Sequence, residues 1–368
     1  MTQPEVTLVV VPRERFSYTQ QSLESIYENT DYPFELVYVD VCTPKHIQQY
    51  LQEKSQEKNF KLVRTPHYVS PNQARNVGLR HVTTQYVVFI DNDVVVKRGW
   101  LTKLVECAEE TGAAVVGPLT CLGQPEHQVI HNAGGENRIK IKEVDGKPQR
   151  CIRQKTYLTG EHVVNVPDEL KRVQCEYVEF HCMLVRTEIF DGTVQIDEGM
   201  LATREHIDFC LMVLEAGGTI YCERDSVITT DTLGISKNQK GLMALTGSIQ
   251  IPDFEWSDLP YFMLRWNDAW DLASLTHLRG KWNLYEDKYF HKRYKGLGGR
   301  RREILIKPLV RRLTFGKGSP WLEKILSSLE TRFNHYYYKR YIQKLPQAKQ
   351  AQAAEMLQSV EVLQSAMV

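Results

Sequence analysis

Blocks of apolar residues alternate with polar, helix-periodic stretches from the start of the chain. Val6 to Val11 predicts a first strand, and Pro12-Arg13-Glu14-Arg15 a polar loop after it. Ser17-x-x-Gln20 has the form of a capping box, opening a helix with Leu23, Ile26 and Tyr27 on one face. Glu35 to Asp40 predicts a second strand, Pro44 can start a helix running to about Lys58, and Phe60 to Arg64 predicts a third strand. A further helix, with Asn72 as its cap and Gly78 set for close approach to a sheet, leads into Tyr86-Val87-Val88-Phe89-Ile90-Asp91-Asn92-Asp93. Five apolar residues without polar alternation suit a strand covered on both faces. Strands alternating with helices predict a doubly wound, mostly parallel α/β sheet.

Past Val94-Val95-Val96 a helix is expected near Gly99-Trp100. Residues 136–172 are polar with interspersed Gly and Pro, and are expected to form an insertion or a mobile loop over a site. Cys175 to Arg186 reads as one strand. Ile207, Cys210, Leu211 and Leu214 recur at helical spacing, Ala216-Gly217-Gly218 ends that helix, and Thr219 to Cys222 is a further strand. The tail from about Ser319 to Val368 reads as helical, a C-terminal helical extension open to a role in homo-oligomer formation. The division expected is 1–235, 236–318 and 319–368.

Candidate chemistry gathers where strands end, because ligands of such sheets lie outside the carboxyl ends of the strands. Asp91 and Asp93, one residue apart at a chain reversal, can share a divalent cation, and oxygen ligands of this kind suit Mg2+ or Mn2+. Arg75 in the first turn of its helix makes an anion site at a helix N-terminus. Glu205, His206 and Asp208 fall in the first turn of the helix that carries Ile207.

Ala74-Arg75-Asn76-x-Gly78 followed by Tyr86 to Asp93 resembles the "ARN-x-G … YV-x-F-L-D-x-D" core of family 2 glycosyltransferases. Leu8 to Pro12, Leu36 to Asp40, Ala114 to Pro118 and Val129 to Gly135 are similar to other segments of that family, and the likeness extends over about residues 5–235. It implies a GT-A-type fold and transfer of a sugar from a nucleotide-sugar donor to an acceptor hydroxyl with inversion. It also implies nucleotide-sugar contacts at Pro12, Glu14, Asp40, Arg75, Asn76, Asp91 and Asn92, and metal ligands at Asp91 and Asp93. In the family's "E-D-x-D" motif the residue after the Glu is the usual catalytic base. Here it is His206, so the base is open between His206 and a neighbouring acid, Glu205 included. The family's metal-binding histidine is also missing, and Asp231 is the oxygen ligand the sequence offers in its place. The competing reading is a protein that kept the fold and lost the chemistry.

Composition narrows this picture. The formal net charge is +1, and no nucleic-acid module is recognisable, so nucleic acid is not expected as a partner. Eight scattered cysteines without a C-x-x-C pair suit reduced core thiols and a cytoplasmic setting. Residues 288–318 hold Lys288, Lys292, Arg293, Lys295, Arg300, Arg301, Arg302, Lys307, Arg311, Arg312 and Lys317 against one acid, Glu303. Interleaved with apolar residues, this run can lie on the anionic inner face of a membrane or hold a lipid-linked phosphate acceptor. Glycan, lipid-linked and protein acceptors all remain open.

Overall fold

The computed structural model describes residues 5–230 and 256–366. These separate into two compact units, the first holding 5–198 and 205–230 and the second 199–204 and 256–366. Asp231, expected as a metal ligand, lies outside the described residues.

The first unit is organised on a mixed sheet. Strands β1 (Val6–Val11), β2 (Phe34–Asp40), β3 (Lys61–Arg64) and β4 (Tyr86–Asp91) are parallel, with β1 between β2 and β4. All six residues of β1 and of β4 are buried, as expected of strands covered on both faces. Helices α1 (Thr19–Asn29), α2 (Lys45–Glu57) and α3 (Pro71–Leu79) make the crossovers. Beyond β4 the sheet continues through β11 (Cys182–Arg186), β6 (Val115–Leu122), β12 (Ile220–Thr230) and β10 (Val173–Cys175). Short strands β5 (Val94–Val96) and β7 (Val129–Asn132) pair with β12 and β6. Helix α4 (Trp100–Thr111) packs on β6 and β12, and α5 is Glu205–Glu215.

Three expectations are corrected. The cap of α3 is Ser70, whose hydroxyl accepts from the Gln73 amide while the Gln73 side chain accepts from the Ser70 amide; Asn72 lies inside the helix. Pro71 at the first helical position, with φ already fixed for a helix, sets the start two residues earlier than a cap at Asn72 would. No capping box forms at Ser17, because a 3-10 turn over Phe16–Tyr18 precedes α1 and Tyr18 occupies the cap position. The polar stretch after residue 135 contains a hairpin, β8 (Gly135–Val144) with β9 (Lys147–Thr156). Its turn is Asp145-Gly146, both at positive φ, 51° and 71°, the backbone that suits a two-residue hairpin link.

Gly78 fixes the distance between α3 and the sheet. A Cβ there would stand 2.3 Å from Val9 Cγ1 and 3.2 Å from Val39 Cγ2. Both neighbours are branched side chains in buried strands, so neither can move aside freely. Gly78→Ala is expected to destabilise the protein by about 1–3 kcal/mol, read as a lower denaturation midpoint at unchanged m-value. An unchanged midpoint would show that the helix is not held against the sheet at this point.

The second unit is helical among its described residues. Its main helices are Leu259–Arg265, Asp268–Lys281, Lys288–Tyr294, Pro320–Ile342 and Gln347–Ala366. The basic run is thus partly structural, since the fully buried Arg301 pairs with Asp268 at 3.0 Å and with Glu330 at 2.7 Å. Trp270 Nε1 donates to the Tyr338 hydroxyl at 3.1 Å, tying the long helix to its neighbour. Trp321, Leu329, Phe333 and Tyr336 of that long helix are exposed. No helix of the described residues is long and apolar enough to cross a membrane.

Candidate active site

The carboxyl ends of β1 and β4 lie side by side, with Val11 opposite Asp91. β11 runs antiparallel to β4 and begins opposite Ile90, so its approach segment brings His181 to the same edge. The Asp91 amide donates to the His181 carbonyl at 3.0 Å. Three elements from distant parts of the sequence therefore meet at one carboxylate.

Asp91 is 1 % exposed and receives cations on both oxygens. Arg13 Nη1 donates to Oδ2 at 3.1 Å, His181 Nδ1 lies 3.0 Å from the same oxygen, and Arg75 Nη2 donates to Oδ1 at 3.4 Å. Burial works to raise the Asp91 carboxyl, but Arg13, His181 and Arg75 outweigh it and hold the group below the usual carboxylate range. Arg75, itself 1 % exposed, donates to Asn72 Oδ1 at 2.9 Å and stands 4.0 Å over the Phe180 ring. Asp91 is thus an internal anchor for two arginines, and its charge is compensated within the fold.

Asp93 has the opposite character. It is 5 % exposed, and Oδ1 is buried with no hydrogen-bond partner among the described residues. Burial and the neighbouring Asp91 charge, with a contribution from Glu14, raise its carboxyl against the pull of Arg13 and Arg15. A buried carboxylate oxygen without a donor is costly unless a cation serves it, so Asp93 fits a divalent ion.

Asn92 between them latches the loop after β1. Its Oδ1 accepts from the Arg13 amide at 2.9 Å and its Nδ2 donates to the Arg15 carbonyl at 3.1 Å. Pro12 and Glu14 are buried in that loop. Asp40, at the end of β2, is fully buried; Oδ1 accepts from the Thr43 amide at 2.8 Å and Oδ2 pairs with Arg64. Asn76 faces elsewhere within the unit, donating to the Ile196 carbonyl and to Glu198 Oε1, each at 2.9 Å.

A second cluster adjoins the first through His181. Glu179 Oε2 lies 2.9 Å from His131 Nε2 and 3.5 Å from His181 Nε2, while Oε1 lies 3.9 Å from His206 Nε2. Burial tends to raise the Glu179 carboxyl, yet His131, His206 and His181 drive it well below its ordinary value. Donor atoms of His131, Glu179 and His181 all lie within 4.8 Å of one another, close enough to converge on one metal ion. The His206 ring stacks on Tyr177 with centroids 5.8 Å apart. It opens α5 between Glu205, 8 % exposed, and Asp208, 1 % exposed, both too enclosed to meet a large acceptor directly.

The structure therefore brings together Arg75, Asp91 and Asp93, and sets His206 beside Glu179. Reading the sequence missed Arg13, His131, Glu179 and His181. Arg13 lies in the loop after the first strand, and the Glu179-Phe180-His181 triplet falls within the single strand expected over Cys175 to Arg186. That strand is interrupted: β10 pairs with β12 and β11 with β4 and β6, and the residues between them cross from one to the other.

Residues 7–149 match the model of the family described as Glycosyl transferase family 2. Pre-mycofactocin glycosyltransferases of two Mycobacterium tuberculosis strains, CDC 1551 / Oshkosh and ATCC 25618 / H37Rv, are each 25% identical over 173 residues. The aligned part is 47% of this chain and 32% of each relative, so the chain spans about a third of the length of those proteins. Among solved structures, GalNAc-T7 crystallised with UDP, GalNAc and Mn2+ aligns at 15% identity and TM-score 0.47, over 79% of this chain and 57% of that one. TarS of S. aureus aligns at 16% identity and TM-score 0.44, over 82% and 49%. The match to the glycosyl transferase family 2 model covers residues 7–149, the segment that holds β2 to β4, nearly all of β1 and the Asp91-Asn92-Asp93 turn.

Proposed function

We propose that this protein transfers a sugar from a nucleoside-diphosphate sugar to an acceptor hydroxyl, with inversion and with a divalent cation at Asp93. The unpartnered, buried Oδ1 of Asp93, set at the carboxyl edge of a parallel sheet beside Arg13, carries this reading. A bound Mn2+ or Mg2+ would supply positive charge to the departing diphosphate. Arg13 and Arg75 fix Asp91 and, through it, the turn that presents Asp93. Asn92 holds the loop after β1 in register with that turn, so donor-binding backbone and carboxylate are set before any ligand arrives.

His206 is the base in this scheme. Its Nε2 faces the Glu179 carboxylate at 3.9 Å and its ring is braced by Tyr177, so Glu179 acts as a positioning residue that favours the protonated imidazole once a hydroxyl proton is taken. The buried Asp208 and Glu205 secure the first turn of α5, where a helix start favours carboxylates.

Thermal stability of the full chain against nucleoside diphosphates and their sugars, each with Mn2+ and with EDTA, tests the donor assignment. A metal-dependent rise with one nucleotide is expected, because a ligand selective for the folded state stabilises it; no rise with any of them would overturn the reading. His206→Gln is expected to lower kcat by about 10²–10⁴ while leaving that nucleotide-dependent rise in place. Unchanged kcat would remove His206 from the chemistry and return the role of base to an acid.

A further inference from the structure

The second unit holds a cavity of about 360 Å³, open to solvent on one side, that the transfer reading does not use. Its charged lining is Arg204, Lys292, Arg293 and Arg300 against one acid, Asp271. Asp271 is engaged by the Thr203 hydroxyl, which donates to its Oδ1 at 2.7 Å. Among the described residues no carboxylate stands within ion-pair distance of Arg204, Lys292 or Arg293. The Nε atoms of Arg204 and Arg293 are buried and lack a hydrogen-bond partner among the described residues.

Each feature is unfavourable for a cavity with only an internal structural role. Like charges repel most where water is scarce, and buried guanidinium N–H groups left without acceptors lose hydrogen bonds that water would have given them. Arg293 does find part of its need within the fold, since Nη1 donates to the Tyr289 carbonyl at 2.8 Å and the guanidinium lies 3.3 Å over the Tyr289 ring. Even so, burial and the facing charge of Arg204 hold it down to about 10. Arg204 sits at φ 70°, the left-handed region that a long side chain adopts only when its surroundings impose it. Trp266 and Leu275 line another part of the cavity, and Gly296, Gly298 and Gly299 a further part, where no side chain stands between the backbone and a small ligand.

We propose that this cavity binds a phosphoryl or diphosphoryl group, held by Arg204, Lys292 and Arg293. The chemistry matches on each count: guanidinium forks and an ammonium pair with phosphoryl oxygens through short, charge-assisted bonds. An anion would supply acceptors to the two Nε atoms and cancel the mutual repulsion of the cations. The site needs no metal.

The test is calorimetric titration of the full chain with inorganic pyrophosphate in EDTA, which silences any metal-dependent nucleotide binding elsewhere. Saturable binding is expected, weakened about tenfold or more by Arg204→Gln, by Arg293→Gln and by Lys292→Gln. Lys292 is exposed, so its substitution reads the site without threatening the fold. Parallel titrations with uridine diphosphate and with farnesyl diphosphate tell a nucleotide bearer of the group from a lipid one, the tighter of the two naming the source. Absence of binding at about 10 mM pyrophosphate, or binding that all three substitutions leave unchanged, would overturn the proposal.

Discussion

Asp93→Asn is expected to make the metal-free protein more stable and the enzyme all but inactive. The stability gain follows from what the carboxylate lacks. Oδ1 is buried without a donor and Asp91 stands one residue away, so the charged form is opposed by burial and by repulsion. A group whose folded pKa is raised binds its proton more tightly in the folded state than in the unfolded one. Its favourable contribution is complete below the unfolded value, near 3.9, and is lost as pH rises through the folded value. In EDTA the wild type should therefore lose stability over that span, and Asp93→Asn should remove that part of the slope, gaining ~1–2 kcal/mol at pH 8. Asp91 titrates in the opposite sense, because its folded value is lowered: its contribution is lost only as pH falls, outside the range in which Asp93 is compared. Transfer should fall by about 10²–10³ or more, and stabilisation by Mn2+, which in the wild type grows with pH as the proton and the ion compete, should disappear. Equal slopes for the two proteins in EDTA would mean that Asp93 is not held as described, and retained Mn2+ stabilisation would move the metal to the His131, Glu179 and His181 cluster.

Much of this site is legible in the sequence because it rides on parallel strands. A parallel strand gives its carboxyl end to the ligand side, so Asp40 and Asp91 could be placed from the apolar blocks that precede them. Arg75 and Gly78 followed from a helix that must lie against the same sheet. Glu179 and His181 were hidden by strand direction. β11 enters the sheet antiparallel to β4, so its beginning, not its end, reaches the active edge, and a run of apolar residues does not state which way it runs. His131 comes from β7, a short strand hung on β6. The hairpin of β8 and β9 was hidden for another reason. In β8, Arg138, Lys140 and Lys142 alternate with Ile139 and Ile141, but β9 carries polar residues on both faces, so the pattern does not extend to the partner strand; Asp145-Gly146 is the local signal that links the two. Asn92, expected to contact the nucleotide, is hydrogen-bonded to the loop after β1, a role that depends on two segments meeting and leaves no trace in either.

Arg75→Leu should be the most destabilising single change in the first unit. The guanidinium is almost wholly enclosed, shares Asp91 with Arg13 and His181, donates to Asn72 and lies against Phe180. Leucine keeps part of the packing on Phe180 but strips one cation from a carboxylate that is itself 1 % exposed. Removing one partner of a buried pair costs about 3–5 kcal/mol, because the other charge stays behind without compensation. Arg13 and His181 remain on Asp91 Oδ2 and soften that penalty, whereas Oδ1 loses the arginine that faces it. A fall of roughly 10 °C in Tm is expected for a unit of this size. The Asp91 carboxyl, relieved of one cation, should then titrate higher, so the variant should lose further stability on acidification at a higher pH than the wild type. The double variant Arg75→Leu with Asp91→Leu separates the two contributions. If the cost lies in the stranded carboxylate, the second substitution should recover a large part of it; if the double variant is weaker by the sum of both losses, Arg75 acts through its packing on Phe180 and its bond to Asn72.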